Sequence, residues 1–362
     1  MKFAHFSHVW AKAGLTAAQR YEQLWRELEL CDDLGFDYGF CVEHHFRPDE
    51  SLMSAPQLYT IAAGARTKRI RLGGMGHIVP LHHPLRLAEE LAIADQMIGG
   101  RLEVGLVPGI LPAYFAPFKI DYASRREVTL EFARFLKVAY PETGTFDFEG
   151  QFHQHKGVKL AVNPIQKPHP PLWIETRDPA TLEFCAREGI HTGYFLLFPR
   201  DEAAGRYRKY LELWKQSGWP RKPNIAYSTV VFVADTDEEA IETAAVHAGR
   251  AYRGLFGSSE NMAELKAVQV KFAEFFESRG EIGAAEIARN LLDENYLLKH
   301  DLVLIGSPET VTRKLRHFAE SGMFNTFMGE FNFADIGEAE MMKSIRLFGT
   351  EVMPRLRDFE PF

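Results

Sequence analysis

The chain has 362 residues, 46% of them hydrophobic, and a formal net charge of -7 at pH 7. This length and composition allow a substantial core, in one large domain or two ordinary ones. Charges of both signs are interspersed without a basic stripe, which argues against nucleic acid as a partner. No leader precedes the first strand and no apolar run reaches membrane-spanning length, so we expect a soluble, cytoplasmic protein that does not bind a membrane.

The three cysteines, Cys31, Cys41 and Cys185, lie far apart in segments that read as helices or strands. This spacing favours buried, reduced thiols over a disulfide framework. Cysteine usage therefore agrees with a cytoplasmic location.

Strand-like and helix-like segments alternate along the chain. Because eight such alternations occur without a glycine-rich first turn, they favour a closed (β/α)8 TIM barrel, class α/β, over an open doubly wound sheet. We expect one domain over residues 1–362. The predicted strands are Lys2–Phe6, Tyr38–Val42, Ile70–Gly74, Leu102–Leu106, Leu172–Glu175, Thr192–Leu197, Ile225–Val233 and Thr326–Phe331, and the predicted helices include Pro56–Ala65, Pro84–Met97, Arg125–Val138, Pro179–Glu188 and Glu238–Leu255.

Two stretches interrupt this alternation. Between Thr143 and Pro171, a two-residue period on both sides of Gly150, continuing through Val158–Val162, predicts a β-hairpin before strand five. At about 258–300, an aromatic-rich helical insertion follows strand seven. Such insertions often cover the pocket of a barrel, so this one is a candidate lid, although packing against another subunit or extending the outer shell explains it equally well.

The second predicted strand ends in a charged, histidine-bearing corner, Glu43-His44-His45-Phe46. The amphipathic helix before it ends at Gly35, where a left-handed cap is expected. The corner therefore lies at the carboxyl end of a strand, which is the end that builds ligand sites in parallel α/β folds. A histidine there can donate or accept a proton near pH 7.

The residues alone leave two hydrolytic readings open. The pairs His44-His45 and His82-His83 suggest a metal site, but neighbouring residues on an extended strand point to opposite faces and can hardly both ligate one ion. Carboxylates near strand ends, at Glu43, Glu175 and Glu330, would suit a glycosidase that uses a paired acid and base. Holding a neighbouring histidine or arginine in place would explain Glu43 equally well.

Four segments, in this order, resemble the bacterial luciferase-like family of flavin-dependent monooxygenases over nearly the whole chain. Each alone is weak evidence, whereas all four on an eightfold βα pattern are specific. The matching segments are Gly35-Phe36-Asp37 leading to Glu43-His44-His45-Phe46, then Ile78 to Glu90, Asp95 to Leu102, and Gly306 to Val311.

The resemblance implies a (β/α)8 barrel that binds FMN as FMNH2, supplied by a separate NAD(P)H-dependent flavin reductase. With O2 the bound flavin would form a C4a-hydroperoxide and oxygenate a small organic substrate, apolar or aromatic. The first histidine of the family's Glu-His-His-Phe segment, which assists that peroxide, aligns with His44, so His44 is the expected catalytic acid/base. The resemblance also implies a homodimer.

The resemblance places cofactor-binding residues at three further strand ends. Met75, Gly76 and His77 match the backbone that runs under the isoalloxazine ring. Thr176 and Arg177 are the expected phosphate donors. After strand four the chain departs from the luciferases: it has proline where they carry the arginine that anchors the phosphate, so that contact must be replaced or weakened. The remaining matched residues are Val107, Pro108, Gly109, Trp173 and Glu175.

Two alternatives remain on the same barrel. One is a deazaflavin F420-dependent oxidoreductase, whose usual sequences lack the Glu-His-His-Phe corner. The other is a non-catalytic flavin-binding relative, against which the presence of His44 argues.

Overall fold

A computed structural model of the chain describes residues 1–141, 144–195, 199–256 and 262–362. The chain divides into two compact units. The large unit comprises Met1–Tyr38, Arg47–Leu52 and Thr176–Phe362, and the small unit comprises Gly39–Phe46 and Met53–Glu175.

Strands and helices alternate through both units. The strands are β1 (Lys2–Ser7), β2 (Tyr38–Cys41), β3 (Arg71–Gly74), β4 (His77–Ile78), β5 (Val104–Val107), β6 (Phe146–Glu149), β7 (Gln154–Val158), β8 (Leu172–Glu175), β9 (His191–Phe195), β10 (Ile225–Val233), β11 (Leu304–Gly306) and β12 (Thr326–Glu330). The helices are α1 (Ala17–Leu34), α2 (Pro56–Arg66), α3 (Pro84–Met97), α4 (Pro112–Phe115), α5 (Arg125–Ala139), α6 (Pro179–Glu188), α7 (Arg200–Gln216), α8 (Asp237–Phe256), α9 (Met262–Glu277), α10 (Ile282–Asn290), α11 (Glu294–Lys299), α12 (Pro308–Gly322), α13 (Glu338–Leu347) and α14 (Met353–Leu356), with a 3₁₀ turn at Val79–Leu81 and a π-helical turn at Phe348–Val352.

The strands of the large unit pair in parallel. β12 lies between β1 and β10, with Thr326 opposite both Lys2 and Ala226, and β10 also pairs with β9 and β11. All nine residues of β10 are buried, as expected for a strand covered on both faces. The ring of Tyr227, a residue of β10, stacks on the ring of Phe324, with centroids 4.9 Å apart.

The strands of the small unit meet around β5. β5 pairs in parallel with β4 and β8, placing Leu106 opposite both His77 and Ile174, and Leu72 bridges to Leu102. A separate two-stranded antiparallel sheet is formed by β6 and β7. The carboxyl ends of β4 and β5 therefore lie side by side.

Local sequence explains where the helices begin and end. Thr16 and Gln19 form a reciprocal capping box at the start of α1, and Gly35 ends that helix in the left-handed conformation, with φ 81°. Ser307 caps α12 by accepting a hydrogen bond from the Thr310 amide. The predicted cap at Gly35 is thus confirmed.

The predicted strands are present with small shifts in their bounds, and Leu172–Glu175 and Ile225–Val233 match fully. Residues 196 and 197 of the sixth predicted strand lie outside the described residues. Sequence reasoning missed β4 and β11, which have two and three residues and carry no readable period, and also missed the polar helix α7.

The hairpin predicted before β8 is formed by β6 and β7, which lie on the two sides of Gly150, with Phe146 opposite Val158. A register shift between Phe146 and Phe148 interrupts the ladder. Thr143 lies outside the described residues.

The predicted insertion contains α9, α10 and α11 within its described part, while residues 258–261 lie outside it. Ala273, Phe276, Ala284, Ala285 and Ala288 form a buried cluster that joins α9 to α10. The role of this segment as a lid remains a prediction. The organisation of the chain as a single domain also remains a prediction.

The three cysteines are buried and free, as predicted. Among the described helices, none combines the length and apolar character that crossing a membrane requires.

Candidate functional site

The small unit gathers polar side chains around the buried carboxylate of Glu43, two residues beyond β2. His45 Nε2 donates to Oε1 at 2.9 Å, and His82 Nε2 lies 3.0 Å from both carboxylate oxygens. The Ile78 amide donates to Oε2 at 3.0 Å. Glu43 therefore ties the end of β2 to β4 and to the turn that precedes α3.

These hydrogen bonds set the ionisation of the Glu43 cluster, which we define as Glu43, His45, His77 and His82. Burial alone would raise the pKa of the Glu43 carboxyl, but the hydrogen bonds from His45 and His82 lower it to about 2. Burial opposes protonation of His82 as well, yet its hydrogen bond and charge interaction with Glu43 raise the pKa of that imidazole. Glu43 is thus an ionised carboxylate whose role is to hold two histidines.

His44, the predicted catalytic residue, lies between Glu43 and His45 in sequence, but its contacts are with residues outside the Glu43 cluster. Its half-buried ring stands 5.6 Å from the Tyr114 ring, and its amide donates to Met53 O at 2.9 Å. The His45 ring is 6.1 Å from the same tyrosine. Because β2 ends at Cys41, the alternation of an extended strand does not separate the two histidines, and that argument against a shared ion was wrong.

Metal ligation nonetheless finds no support from the geometry. Within the described ranges, no group of three or more histidine, cysteine or carboxylate side chains is arranged to hold a metal ion. His83, the fourth histidine of the predicted pairs, is exposed and lies near the ring of His155, at 6.2 Å.

The Met75–Gly76 segment leaves β3 with a cis peptide bond between the two residues. The Met75 amide donates to Cys41 O at 2.7 Å, which holds this segment against the end of β2. A Cβ on Gly76 would lie 2.8 Å from the backbone of Gly105, so only glycine allows this close approach. The structure therefore brings together the ends of β2 and β3 predicted to contact the flavin.

His77 is fully buried, and neither of its ring nitrogens has a hydrogen-bond partner among the described residues. Burial lowers the pKa of the imidazole to about 4, only partly offset by the charge of Glu43. Its ring lies 6.3 Å from that of His82. Sequence reasoning named His77 only as backbone near a flavin and gave no sign of this neutral, enclosed imidazole.

The end of β5 carries the departure from the luciferase pattern. Val107 packs with Ile78, Tyr114 and Phe115, Pro108 is half-buried, and Gly109 has φ +76°. Arg125, at the start of α5, donates from Nε to Gly109 O at 3.2 Å. The structure thus places the Arg125 guanidinium beside the loop that lacks the expected arginine. The sequence could not show this contact, because 15 residues lie between Gly109 and Arg125.

Trp173 and Glu175 lie on β8. The buried Trp173 indole donates to Glu103 Oε2 at 2.5 Å, and its ring lies 5.9 Å from Phe40, so packing accounts for its presence. Glu175 is half-buried at the last position of the strand.

Thr176 and Arg177, the predicted phosphate donors, begin the last segment of the large unit. The Thr176 hydroxyl accepts from the Asp178 amide at 3.1 Å. The Arg177 guanidinium lies over the Phe276 ring, 4.2 Å from its centroid, and its Nη2 is 3.3 Å from Glu281 Oε2. Neither Phe276 nor Glu281 was predicted as a partner, since both belong to the insertion.

Glu330, which the glycosidase reading named, ends β12 in the large unit. It accepts from His8 Nδ1 at 2.8 Å and from Trp10 Nε1 at 2.6 Å. Both Glu43 and Glu330 thus hold neighbouring histidines, which is the structural role that the sequence left open for Glu43.

A cavity of about 490 Å³ lies elsewhere in the large unit. Its lining includes Arg200, Tyr296, His300 and His317 and contains no residue of the predicted site.

A family model described as luciferase-like monooxygenase matches residues 1–324. The chain belongs to the luciferase-like monooxygenase family. It is 32% identical over 198 residues to the uncharacterized protein y4wF of Sinorhizobium fredii, and this match covers 53% of the chain and 55% of that relative, about half its length. It is 27% identical over 252 residues to the oxygenase component of the flavin-dependent trigonelline monooxygenase of Acinetobacter baylyi, with 66% and 67% of the two chains covered.

Among solved structures, the chain resembles the oxygenating constituent of 3,6-diketocamphane monooxygenase of Pseudomonas putida, a type II Baeyer-Villiger monooxygenase in complex with FMN. The TM-score is 0.78 at 21% identity, with 98% of each chain covered. This likeness concerns the fold, and it confirms the predicted luciferase-like (β/α)8 class.

Each unit, taken by itself, carries a feature that suits part of a flavin cofactor. In the small unit, glycine at position 76 allows backbone to lie where a side chain would stand. In the large unit, Thr176 and Arg177 are joined by Arg206, whose Nη1 donates to Arg177 O at 2.6 Å. Guanidinium groups and a hydroxyl form the donor set that a phosphate monoester requires.

Proposed function

We propose that the chain is the oxygenase component of a two-component monooxygenase, which uses reduced FMN and O2 by way of a flavin C4a-hydroperoxide. The observation that carries this proposal is the hydrogen bonding between strand ends in the small unit. Met75 to Cys41 and Ile78 to Glu43 hold the Met75–Gly76 segment beside the corner that bears His44. Family membership supports the same chemistry.

His44 is the proposed acid/base. Reduced FMN, when bound, supplies the electrons that activate O2, while the chain must hold or move one proton near the reacting atoms. Glu43 is committed to His45 and His82, so it does not compete for that role. The Glu43 cluster instead fixes the backbone on both sides of His44 and positions it.

The proposed substrate is a small organic molecule with an apolar or aromatic part. Aromatic side chains surround the corner: the Phe118 ring lies 5.4 Å from His45 and 5.6 Å from Phe46. Phe46 is 61% exposed and Phe118 is 44% exposed. Exposed aromatic surface beside a polar corner suits an apolar ligand that presents one reactive group.

The reduced cofactor is proposed to come from a separate NAD(P)H-dependent flavin reductase, in keeping with the trigonelline relative, whose name gives it as an oxygenase component. A homodimer is proposed on the resemblance alone, and a cytoplasmic location is proposed on the cysteine usage of the sequence.

Rapid mixing tests the proposal. The full chain is premixed anaerobically with reduced FMN, oxygenated buffer is added, and flavin absorbance is followed. A transient species distinct from both reduced and oxidised flavin is expected, and a screen of apolar substrates should shorten its lifetime. Oxidation as fast as in free solution would contradict the proposal, and anaerobic mixing of the chain and reduced F420 with small organic hydride acceptors would then decide between hydride transfer and a non-catalytic binder.

A further inference from the structure

The cavity of about 490 Å³ in the large unit lies where the insertion meets two outer helices. Residues of α10 and α11, which belong to the insertion, line one part of it, and the start of α7 and the last turns of α12 line the rest. We call it the insertion cavity. Its volume falls within the range of about 300–1,000 Å³ that is usual for small-molecule sites. It shares no residue with the predicted flavin site, so a ligand bound here would serve a different purpose.

Part of the lining is apolar and aromatic. Ile287 and Leu302 are buried and line the cavity. On α11, the Tyr296 ring stacks on the His300 ring, with centroids 4.0 Å apart and 25° between the ring planes, and both residues line the cavity as well. Flat rings beside buried aliphatic side chains suit the carbon body of a small organic ligand.

The cavity depends on a close approach of α10 to the start of α7. A Cβ at Gly283 would lie 2.7 Å from Pro199 Cγ and would also meet the carboxylate of Glu202. Because a proline ring cannot turn aside as a flexible side chain can, a larger residue at position 283 would push the two helices apart. The insertion is therefore fitted to α7 at the edge of the cavity.

The charges that line the cavity are mostly negative. Asp201 and Glu202 on α7 and Glu286 on α10 contribute three carboxylates, and Arg200 contributes one guanidinium. With the histidines of the lining counted as neutral, negative charges exceed positive ones by two. A cleft lined mainly by one sign of charge concentrates ligands of the opposite sign. The insertion cavity therefore favours a cation over an anion.

Arg200 is held by the protein itself. Its guanidinium lies 3.8 Å from the centroid of the Phe318 ring, and its Nη1 donates to Asp301 O at 2.9 Å and lies 3.3 Å from the Tyr227 hydroxyl oxygen. The guanidinium is thus fixed by a ring and two oxygen atoms. The carboxylates on the two sides of the cavity then decide the charge of the ligand.

One carboxylate stands beside the aromatic part of the lining. Burial and, after it, the charge of Glu286 raise the pKa of the Tyr296 hydroxyl, so the carboxylate and the ring are close enough to interact. A cation above a tyrosine ring is attracted by the negative face of that ring. A carboxylate next to the ring adds a charge interaction with the same cation.

We propose that the insertion cavity binds a small organic cation, an amine that carries an aromatic or aliphatic body. The ammonium group lies between the carboxylates of α7 and α10 and contacts the Tyr296 ring, while the body packs against Ile287 and Leu302. Because this ligand contacts the insertion and α7 together, its binding ties the insertion to the outer helices. The site does not depend on the proposed function, since none of its contacts involves flavin.

Three probes test the site on the full chain without flavin. 2-Phenylethylamine, 2-phenylethanol and 3-phenylpropionate all carry a phenyl ring, but at neutral pH their polar groups are positive, uncharged and negative. Saturation-transfer NMR titrations compare their affinities. The amine is expected to bind about tenfold more tightly than the alcohol, and the carboxylate more weakly than both. Equal affinity for the amine and the alcohol would overturn the proposal.

Two variants separate the charge from the aromatic surface. Glu286→Gln should lower the affinity for the amine about fivefold and leave that for the alcohol unchanged. Tyr296→Leu should lower the affinity for both probes, because it removes the ring on which their bodies and the cation rest. Circular dichroism checks that both variants fold.

Glu294→Gln is the matched control. It removes the same charge from the insertion, but Glu294 pairs with Arg253 at 3.0 Å and does not line the cavity. It should leave the affinity for the amine unchanged. Equal losses in Glu294→Gln and Glu286→Gln would reduce the preference for the amine to general electrostatics and overturn the proposal.

Amide hydrogen exchange tests the tie between the insertion and α7. Saturation with 2-phenylethylamine should slow exchange in residues 282–300 and in the first turn of α7, and the slowing should be weaker in Glu286→Gln at the same amine concentration. Binding of the amine that slows no amide in these segments would place the ligand elsewhere. Undiminished binding in both Glu286→Gln and Tyr296→Leu would do the same, and either result would overturn the proposal.

Discussion

Glu27 in the large unit and Glu43 in the small unit are both buried carboxylates, but their partners differ. Glu27 binds Arg20 and His5 within a fully enclosed cluster, in which every side chain is at most 1% exposed. Glu43 binds two histidines that are 12% and 20% exposed. The pKa of each carboxyl, which burial alone would raise, is lowered by these partners to about 2.

The difference separates a structural cluster from a candidate functional one. The Glu27 cluster joins α1, β1 and Asn332 around an arginine whose charge does not vary with pH. The partners of Glu43 are imidazoles rather than a guanidinium, and they border a half-exposed corner. A buried carboxylate alone is thus a poor sign of function, and the charge type and exposure of its partners are more informative.

The largest effect is expected from breaking the enclosed cluster. Arg20→Met should lower the free energy of unfolding by about 3–5 kcal/mol, because it leaves Glu27 buried without its cation. Urea unfolding at pH 7 measures this. Arg26→Met on the same helix is the control: its pair with Glu338 is about half exposed, and its loss should cost less than about 1 kcal/mol. Equal losses in the two variants would contradict the structural role assigned to Glu27.

The next effect concerns the open corner. His44→Ala should leave FMN affinity unchanged, since other residues provide the binding contacts, but should reduce substrate oxygenation by about 100-fold or more through loss of the acid/base. Product formation and the lifetime of the transient flavin species should fall together. Turnover at the wild-type rate would remove His44 from the mechanism.

The sequence predicted the fold and the position of this corner because both depend on local patterns. Alternation of apolar periods indicated the strands, and Gly35 marked the end of a helix through a backbone requirement that a single glycine satisfies. His44 was placed at a strand end by the same logic.

The partners in the site could not be predicted, because they come from residues distant in sequence. Glu43 meets His82 across 39 positions, and Arg177 meets Glu281 across 104. Sequence periodicity sets which face of an element is buried, but not which charged groups meet after folding. The histidine pair at position 82 was noticed and weighed as a metal site, which was disfavoured, but its carboxylate partner was not visible in the sequence.

A smaller effect is expected at His77, whose ring nitrogens have no hydrogen-bond partner among the described residues. Because burial lowers the pKa of His77 to about 4, the unfolded chain takes up the proton first as pH falls below about 6.5, and the folded chain loses stability. Between pH 7.5 and pH 5 the free energy of unfolding should fall by about 2 kcal/mol for this reason. His77→Leu should remove that loss, as measured by urea unfolding at the two pH values.

His77→Asn separates titration from polarity at the same position. It should flatten the pH dependence as His77→Leu does, because neither side chain titrates. Only the His77→Leu variant should also be more stable than the wild type at pH 7.5, because it removes a buried polar group without partners, which costs free energy of folding. A wild-type pH dependence in both variants would show that His77 is not the group responsible.

The smallest effect has the opposite sign and concerns His82. Its pKa is raised, because the carboxylate of Glu43 outweighs burial. The stabilisation that the interaction of His82 with Glu43 provides is therefore fully present below the unfolded-state pKa of about 6.5. It is lost as pH rises through the folded-state pKa of His82. His82→Asn should cost about 1–2 kcal/mol at pH 6 and less at pH 9.

Comparison with Arg20→Met shows whether the two carboxylates differ as described. The loss caused by Arg20→Met should not shrink from pH 6 to pH 9, since a guanidinium stays charged throughout, whereas the loss caused by His82→Asn should. A constant loss in both variants would mean that His82 acts through a neutral hydrogen bond. The Glu43 cluster would then be as insensitive to pH as the enclosed one, and its positioning of His44 would not depend on protonation.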